Sequence, residues 1–282
     1  MLQILKSFKE LINLLRLEKS LIVILFPIVG AITINGFSLH NPLNLLFSGI
    51  LYCLLWGASF AINDYFDIHI DKINLPNRIL PSNRISTTVS FIWAIILYIV
   101  INLLTLLLYG FLPFLLIASG SVIGILYSWK LKLWGIPGDL AIFTISLLGV
   151  LFGDIIVNHT IRPQSAIIGL FIGCFMYGLQ IMYSIRDIEG DKAYGSRSIA
   201  VRMGSKVAAS VMIIPVFGAL ILLFYFFIIG MIKFNIFLMI IGSFLSVTGF
   251  YLIFKIPTSQ TISRYHRIPE IGLIFHLISF IL

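Results

Sequence analysis

Two short clusters of acidic residues carry the chemistry that this sequence can offer. The first contains Asp64, Asp67 and Asp71, and the second contains Asp187 and Asp191. On a helix, positions i, i+3 and i+7 share one face, as do positions i and i+4, so each cluster would present its carboxylates together. Like charges at that spacing repel one another, by up to about 4 kcal/mol per close pair at an effective dielectric constant near 20. The spacing therefore predicts a cation that offsets this repulsion.

The donor atoms predict which cation that is. Mg²⁺ prefers carboxylate and amide oxygens, keeps several waters and usually bridges a few carboxylates to substrate phosphates. Basic residues accompany both clusters, so the pattern favours a Mg²⁺ and diphosphate site over acids that merely cap helices and pair with loop arginines. The predicted metal ligands are Asn63, Asp64, Asp67, Asp71, Asp187 and Asp191.

The elements that position these acids must lie in lipid. The chain has 282 residues, of which 60% are hydrophobic and only 11% charged, with a mean hydropathy of +1.08. An ordinary soluble domain is about 45–50% apolar and about 25% charged, so a soluble globule and a disordered chain are excluded. The apolar runs are continuous, which favours helices over the alternating strands of a membrane barrel. We expect an all-α polytopic membrane protein that forms a single domain over residues 1–282.

Long apolar runs give the number of spans. Residues 20–63 and 85–129 each hold two helices, divided near residues 35–42 and at Tyr109-Gly110 with Pro113. Four further runs at 137–157, 165–185, 207–230 and 234–254 each fit one span, and a short ninth lies at 268–282. Residues 1–19 mix basic and apolar positions at helical spacing, which is typical of an interfacial helix.

The basic residues predict the orientation. With nine spans, 17 of the 19 Lys and Arg residues fall on one face, and only Arg162 and Lys233 fall on the other. By the positive-inside rule, the N-terminus and both acidic clusters lie on the cytoplasmic side of a multi-pass protein of the cell membrane. The net charge of +8 is then mostly this bias, so we expect no nucleic acid and no obligate protein partner, but contact with membrane lipid.

The motifs resemble those of a known family. Asn63-Asp64-x-x-Asp67-x-x-x-Asp71, followed by Asp187-x-x-x-Asp191, is similar to the two aspartate-rich motifs of the UbiA superfamily of intramembrane prenyltransferases. Residues 72–86 and 127–132 also resemble the family's first loop and its Tyr-Ser-x-x-Leu-Lys box. The resemblance implies nine helices around a central cavity, with polar cap segments on the cytoplasmic face. It also implies Mg²⁺-dependent transfer of a prenyl chain from an isoprenyl diphosphate to a lipid-like acceptor.

The same resemblance implies roles for individual residues. The catalytic set is Asp64, Asp67, Asp71, Asp187, Asp191 and Tyr127. Because Tyr127 and Tyr183 both lie at predicted helix ends near the acids, we expect their rings to stabilise an allylic cation. The residues that would bind substrate are Arg16, Arg78, Lys130, Lys132, Arg186 and Lys192. One departure concerns the first span, because Arg16 is followed by Leu17-Glu18-Lys19, where many members have Arg-Pro-x-Asn.

The loop that ends at Pro81-Ser82-Asn83-Arg84-Ile85-Ser86 bears on the acceptor. It is most similar to the branch that transfers a geranylgeranyl group from geranylgeranyl diphosphate to geranylgeranylglyceryl phosphate in archaeal ether-lipid synthesis. The cations available for such a phosphorylated acceptor are Arg84, Lys192, Arg197 and Arg202. Two alternatives stay open, namely an aromatic acceptor such as 4-hydroxybenzoate and a chlorophyll-synthase-like reaction.

An ion or solute transporter is the alternative from another class. Asp139 and Asp154 lie within the fifth predicted span, and intramembrane carboxylates are a common feature of transport sites. A transporter would also show paired broken helices near the midplane of the bilayer, whereas the acidic clusters lie at one edge. This argument favours the enzyme.

Overall fold

The computed structural model describes residues 2–32 and 42–282, and within them it contains helices and no strand. The long helices are α4 (Pro42–Asn74), α5 (Thr87–Tyr109), α6 (Phe111–Trp129), α7 (Ile136–Asn158), α8 (Pro163–Arg186), α11 (Ser205–Ile228) and α12 (Ile236–Lys255). The shorter ones are α1 (Leu2–Leu14), α2 (Leu17–Ser20), α3 (Leu25–Ile32), α9 (Ile188–Ala193), α10 (Ile199–Met203), α13 (Ser259–Tyr265) and α14 (Arg267–Ile281). Two 3₁₀ turns lie at Leu21–Ile24 and Leu131–Trp134.

Seven helices in this described part of the chain are long and apolar enough to cross a membrane. This confirms an all-α, multi-pass membrane protein. The other two predicted spans correspond to the short helices α2 and α3 with their 3₁₀ turn, and to α14, which has 15 residues. The predicted break near residues 35–42 lies mostly outside the described residues, so the count of nine stays a prediction.

Local sequence explains where the helices end. Ser86 caps α5 by accepting a hydrogen bond from the Val89 amide, and Gly110, at φ 87°, separates α5 from α6 at the predicted division. One prediction was wrong: residues 1–19 do not form one helix. The chain turns at Arg16, which has φ 47°, so the amphipathic α1 ends at Leu14 and α2 begins the next segment.

The outer faces of the long helices expose large apolar side chains, as contact with lipid requires. On α5, Ile99, Leu103 and Leu107 recur every four residues and are 61%, 52% and 70% exposed. Inside the bundle, α3 and α7 approach so closely that a Cβ at Gly153 would overlap the carbonyl oxygen of Pro27. Small residues at such contacts are typical of helix packing in membranes.

A buried ion pair ties the ends of α7 and α8 together. Asp154 is fully buried and pairs with Arg162, whose Nε lies 2.6 Å from Oδ1. Asn158 and Ser165 also donate hydrogen bonds to Asp154, and Arg162 Nη2 donates to the carbonyl oxygen of Gly30 at 3.0 Å. Because these bonds satisfy the carboxylate within the protein, they favour a structural role for Asp154 over a transport site.

Candidate active site

A cavity of about 570 Å³ is lined by residues of both acidic clusters. This volume is within the range of about 300–1,000 Å³ found for ligand pockets. One part of its wall is apolar, from Trp56, Phe60, Ile145, Met176 and Leu179. The other part is charged and includes residues of both clusters. The cavity can therefore hold a molecule with an apolar chain and an anionic head.

The first cluster is presented by α4, which continues as one helix from Pro42 to Asn74. Asp67 and Asp71 line the cavity, while Asp64 is 3% exposed and lies behind that lining. Arg16 pairs with Asp64, and Arg78 Nη1 lies 2.6 Å from Asp71 Oδ2 and 3.5 Å from Asp64 Oδ1. Two arginines from other segments thus neutralise the first and the last carboxylate of this cluster.

Lys132 neutralises Asp67, the remaining carboxylate of this cluster. It is presented by the 3₁₀ turn after α6, and its Nζ forms an ion pair with Asp67 and a 3.1 Å hydrogen bond to Asn63 Oδ1. The Asn63 amide in turn donates to Asp67 Oδ2 at 2.7 Å. Asn63, Asp67 and Lys132 therefore form one hydrogen-bonded group in the cavity wall.

The second cluster lies at a break between helices, because α8 ends at Arg186 and α9 begins at Ile188. Arg186 binds the Asp187 carboxylate with two hydrogen bonds of 2.7 Å. The amide of Asp191 donates to the carbonyl oxygen of Asp187 at 3.1 Å, which retains the predicted i, i+4 relation. Asp187 and Asp191 both line the cavity.

The two clusters meet at the cavity, because α4 packs against α9. Burial raises the pKa of the Asp191 carboxyl to about 7, the negative charges of Asp187 and Asp67 add to the effect, and Lys132 opposes it. Asp67 on α4 and Asp191 on α9 are therefore close enough for their charges to interact. The rings of His69 and Tyr194, stacked with centroids 6.3 Å apart, also bring these two regions together.

Tyr127 lies in the same cavity wall. Its hydroxyl oxygen accepts a hydrogen bond of 2.9 Å from Gln180 Nε2, which fixes the ring between α6 and α8. An aromatic face held beside the acids can stabilise a cation. Gln180 was not found from the sequence, since its type and position carry no motif.

The structure does not bring every predicted residue to the cavity. Lys130 is exposed, and its Nζ stacks 4.5 Å from the centre of the Trp129 ring. Lys192 is exposed and is absent from the cavity lining, as are Arg84, Arg197 and Arg202. Arg84 instead pairs with Glu10 at 3.3 Å.

Other cavity residues escaped the sequence reasoning. They are Glu18 and Lys19 of α2, Arg267 and Glu270 of α14, and Gln180. Two signals could have found part of this set, namely the departure at Lys19 and the fact that Glu270 is the only acidic residue after Asp191. Asp139, left open by the sequence, also lines the cavity and is 5% exposed.

The donor atoms fit Mg²⁺ of the kind that is shared with a phosphate. Within residues 2–32 and 42–282, no three acidic, His or Cys side chains approach closely enough to form a metal site by themselves. The acids and amides that line the cavity nevertheless supply hard oxygen donors, and Asp191 forms no ion pair with a basic residue of that described part. Mg²⁺ usually takes one or two protein carboxylates and completes its shell with water and phosphate.

Comparisons with known proteins identify the family. A model of the UbiA prenyltransferase family matches residues 24–268, which include both acidic clusters. The chain is 33% identical to the digeranylgeranylglyceryl phosphate synthase of Methanothermobacter thermautotrophicus over 61% of this chain and 61% of that one. It is 31% identical to the synthase of the same name from Pyrococcus furiosus, over 75% and 74% of the two chains. The match thus spans about three fifths of the first relative's length.

Solved structures agree with this assignment. The chain superposes on a structure described as digeranylgeranylglyceryl phosphate synthase with a TM-score of 0.73 and 25% identity, covering 100% of this chain and 98% of that one. It also superposes on a UbiA homolog from Archaeoglobus fulgidus bound to GPP and Mg²⁺, with a TM-score of 0.69, 18% identity and coverage of 96% and 99%. The second likeness concerns the fold.

Proposed function

Because the chain belongs to the UbiA prenyltransferase family, we propose that it transfers a geranylgeranyl group from geranylgeranyl diphosphate to the hydroxyl group of geranylgeranylglyceryl phosphate. The observation that carries this proposal is the convergence of both acidic clusters, with Lys132 between them, on one cavity that continues into an apolar wall. A diphosphate with a long hydrocarbon chain matches both parts of that cavity. The relatives named digeranylgeranylglyceryl phosphate synthase support the choice of acceptor.

The proposed Mg²⁺ ligands are Asn63, Asp67, Asp71, Asp187 and Asp191, with Asp64 supporting the first group from behind. When bound there, Mg²⁺ would neutralise the leaving diphosphate and lower the barrier to its departure. Support comes from the solved relative that contains GPP and Mg²⁺. Arg78 and Lys132, which reach the cavity beside these carboxylates, would bind the remaining diphosphate oxygens.

The chain's own residues account for the rest of the reaction. Cleavage of the allylic carbon–oxygen bond leaves its electron pair on the diphosphate and a positive charge on the prenyl chain. Trp56 and Phe60 help to keep water from that cation, and the Tyr127 ring, fixed by Gln180, faces the same space. The acceptor hydroxyl oxygen then bonds to the allylic carbon, and its proton passes to the released diphosphate.

The proposed orientation places the N-terminus and this cavity on the cytoplasmic side. Support comes from the distribution of Lys and Arg, of which 17 of 19 fall on that side in the nine-span arrangement. In this orientation the charged heads of cytoplasmic substrates would reach the cavity without crossing the bilayer.

An acceptor assay in detergent or liposomes tests the proposal. Purified protein receives labelled geranylgeranyl diphosphate with Mg²⁺, and geranylgeranylglyceryl phosphate and 4-hydroxybenzoate are offered in parallel. We expect product from the phosphorylated lipid. Product from the aromatic acid alone would reject the acceptor, and transport of label without any new bond would reject the enzyme.

Variants test the residues. Asp67→Ala and Asp191→Ala should each abolish Mg²⁺-dependent turnover while the protein stays folded, as judged by gel filtration and thermal unfolding. Glu189→Ala is the matched control, because Glu189 lies between Asp187 and Asp191 in sequence but is exposed and outside the cavity lining. Substantial activity in either aspartate variant would remove the metal-ligand assignment.

A further inference from the structure

The cavity contains a second group of cations, which the proposed chemistry of the diphosphate does not use. These are Lys19 of α2, Arg186 at the end of α8 and Arg267 at the start of α14, and all three line the cavity. They come from elements other than those that carry Arg78 and Lys132.

Tyr183 brings two of these charges together. Lys19 Nζ lies 5.0 Å from the centre of the Tyr183 ring, and Arg186 Cζ lies 4.6 Å from it. The Tyr183 hydroxyl donates a hydrogen bond to Glu270, which holds the ring in place. One rigid aromatic side chain thus fixes a lysine and an arginine on the wall of the same cavity.

The positive charge here exceeds the negative charge that pairs with it. Arg186 is bound by Asp187, but neither Lys19 nor Arg267 forms an ion pair with an acidic residue in the described part of the chain. Arg16 also lines the cavity and adds a positive charge near Lys19, which Glu270 only partly offsets. An anion bound beside Lys19 would relieve this repulsion.

We propose that Lys19, Arg186 and Arg267 bind the phosphate monoester of the lipid acceptor. The inference rests on the proposed function, because a phosphorylated acceptor brings a second anion into a cavity that already receives a diphosphate. It also replaces the sequence-based choice of Arg84, Lys192, Arg197 and Arg202, none of which lines the cavity. Arg186, assigned from the sequence to the diphosphate, serves the acceptor instead.

Paired acceptors test this site directly. Initial rates are measured with geranylgeranylglyceryl phosphate and with geranylgeranylglycerol, which lacks the phosphate, for the wild type, Lys19→Gln and Lys19→Arg. Loss of one charged hydrogen bond should raise the KM for the phosphorylated acceptor about tenfold or more. The KM for geranylgeranyl diphosphate and the rates with geranylgeranylglycerol should stay within twofold, and Lys19→Arg should restore most of the affinity.

The matched control is Lys255→Gln, which removes an exposed lysine at the end of α12 outside the cavity lining. Because this control also lowers the net charge by one, it separates a local site from general attraction to anionic lipid. Arg267→Gln provides a second variant at an exposed position and should change the KM for the same acceptor.

Three results would overturn the inference while leaving the proposed function intact. These are an unchanged KM for the phosphorylated acceptor in Lys19→Gln, an equal change with both acceptors, and a rise in the KM for the donor instead. A further experiment adds inorganic phosphate as a competitor of the phosphorylated acceptor. If Lys19→Gln alters only that competition and not the KM of the lipid, the site binds free phosphate and the inference fails. Failure of the wild type to use the phosphorylated lipid would instead reject the proposed function.

Discussion

Lowering the pH from 8 to 6 should weaken Mg²⁺ binding by the substrate-free protein, and Asp191 sets the size of the effect. Burial raises the pKa of this carboxyl to about 7, and a carboxyl must lose its proton before it can bind a metal. With that pKa, about nine tenths of the groups are ionised at pH 8 and about one tenth at pH 6. The apparent affinity should therefore fall about tenfold between these two values.

Isothermal titration calorimetry in detergent micelles measures this affinity, and the spin resonance of Mn²⁺ provides an independent measurement. Asp191→Asn removes this titrating group, so its weaker binding should depend less on pH over this range. Glu189→Gln should retain the wild-type pH dependence, because Glu189 is exposed and lies outside the cavity lining. Wild-type affinities that agree within twofold at pH 6 and 8 would refute the electrostatic reasoning about this site.

Three further predictions concern stability. Because the folded-state pKa of Asp191 lies above the unfolded value of about 4, the contribution of the protonated carboxyl to stability is full only below about pH 4 and is lost progressively as the pH rises through 7. Asp191→Asn should therefore raise the melting temperature at pH 8 more than at pH 6, and an equal effect at both would contradict the raised pKa. Arg162→Ala should destabilise the protein by about 3–5 kcal/mol, because it leaves Asp154 buried without its partner, whereas the exposed Lys233→Ala should not. Gly153→Ala should destabilise by about 1–3 kcal/mol or more, because its Cβ meets the Pro27 carbonyl, whereas a Cβ at Gly218 meets nothing within 4 Å. Thermal unfolding in detergent measures the effects at Arg162 and Gly153. If either variant melts at the same temperature as its control at Lys233 or Gly218, the corresponding argument about the buried ion pair or the helix contact is wrong.

Local features of the fold could be predicted because each depends on neighbouring residues. The division at Tyr109-Gly110 follows from an apolar run too long for one span and from a glycine that adopts φ 87°. The shared face of Asp64, Asp67 and Asp71 follows from helical spacing alone, since α4 continues to Asn74. The prediction of one helix over residues 1–19 failed because an arginine does not indicate the positive φ that Arg16 adopts.

The two lysines after α6 show where sequence reasoning stops. Lys130 and Lys132 are two residues apart, and both are candidates for a diphosphate. The backbone of Lys130 leaves helical geometry, with φ −142° and ψ −37°, and the following 3₁₀ turn rotates Lys132 toward Asp67 while Lys130 stacks on Trp129. Spacing on an ideal helix cannot anticipate that change of direction.

The site's long-range neighbours could not be predicted either. Lys19 and Glu270 are separated by most of the chain, yet both contact Tyr183. Their meeting depends on how α2 and α14 pack against α8, and a single sequence contains no record of that packing. The acids themselves were found because their clustering is local.

The ion pairs of the first cluster make the binding of Mg²⁺ and the binding of the diphosphate donor depend on each other. In the substrate-free protein, Arg78 and Lys132 are occupied by Asp71 and Asp67. They can turn to a diphosphate only if those carboxylates gain another cation, since a buried carboxylate without a partner is strongly unfavourable. Arg16 is different, because its partner Asp64 lies behind the cavity lining, so we expect this pair to persist.

It follows that Mg²⁺ and the donor should each bind more tightly in the presence of the other, by the same factor. Calorimetric titrations of geranylgeranyl diphosphate with and without Mg²⁺, and the reverse, measure that factor. Lys132→Met should weaken the coupling, because Asp67 no longer depends on an exchange of partners before it can accept a metal. Independent binding of the two ligands to the wild type would mean that Arg78 and Lys132 do not leave their carboxylates, and the assignment of these two cations to the diphosphate would fall.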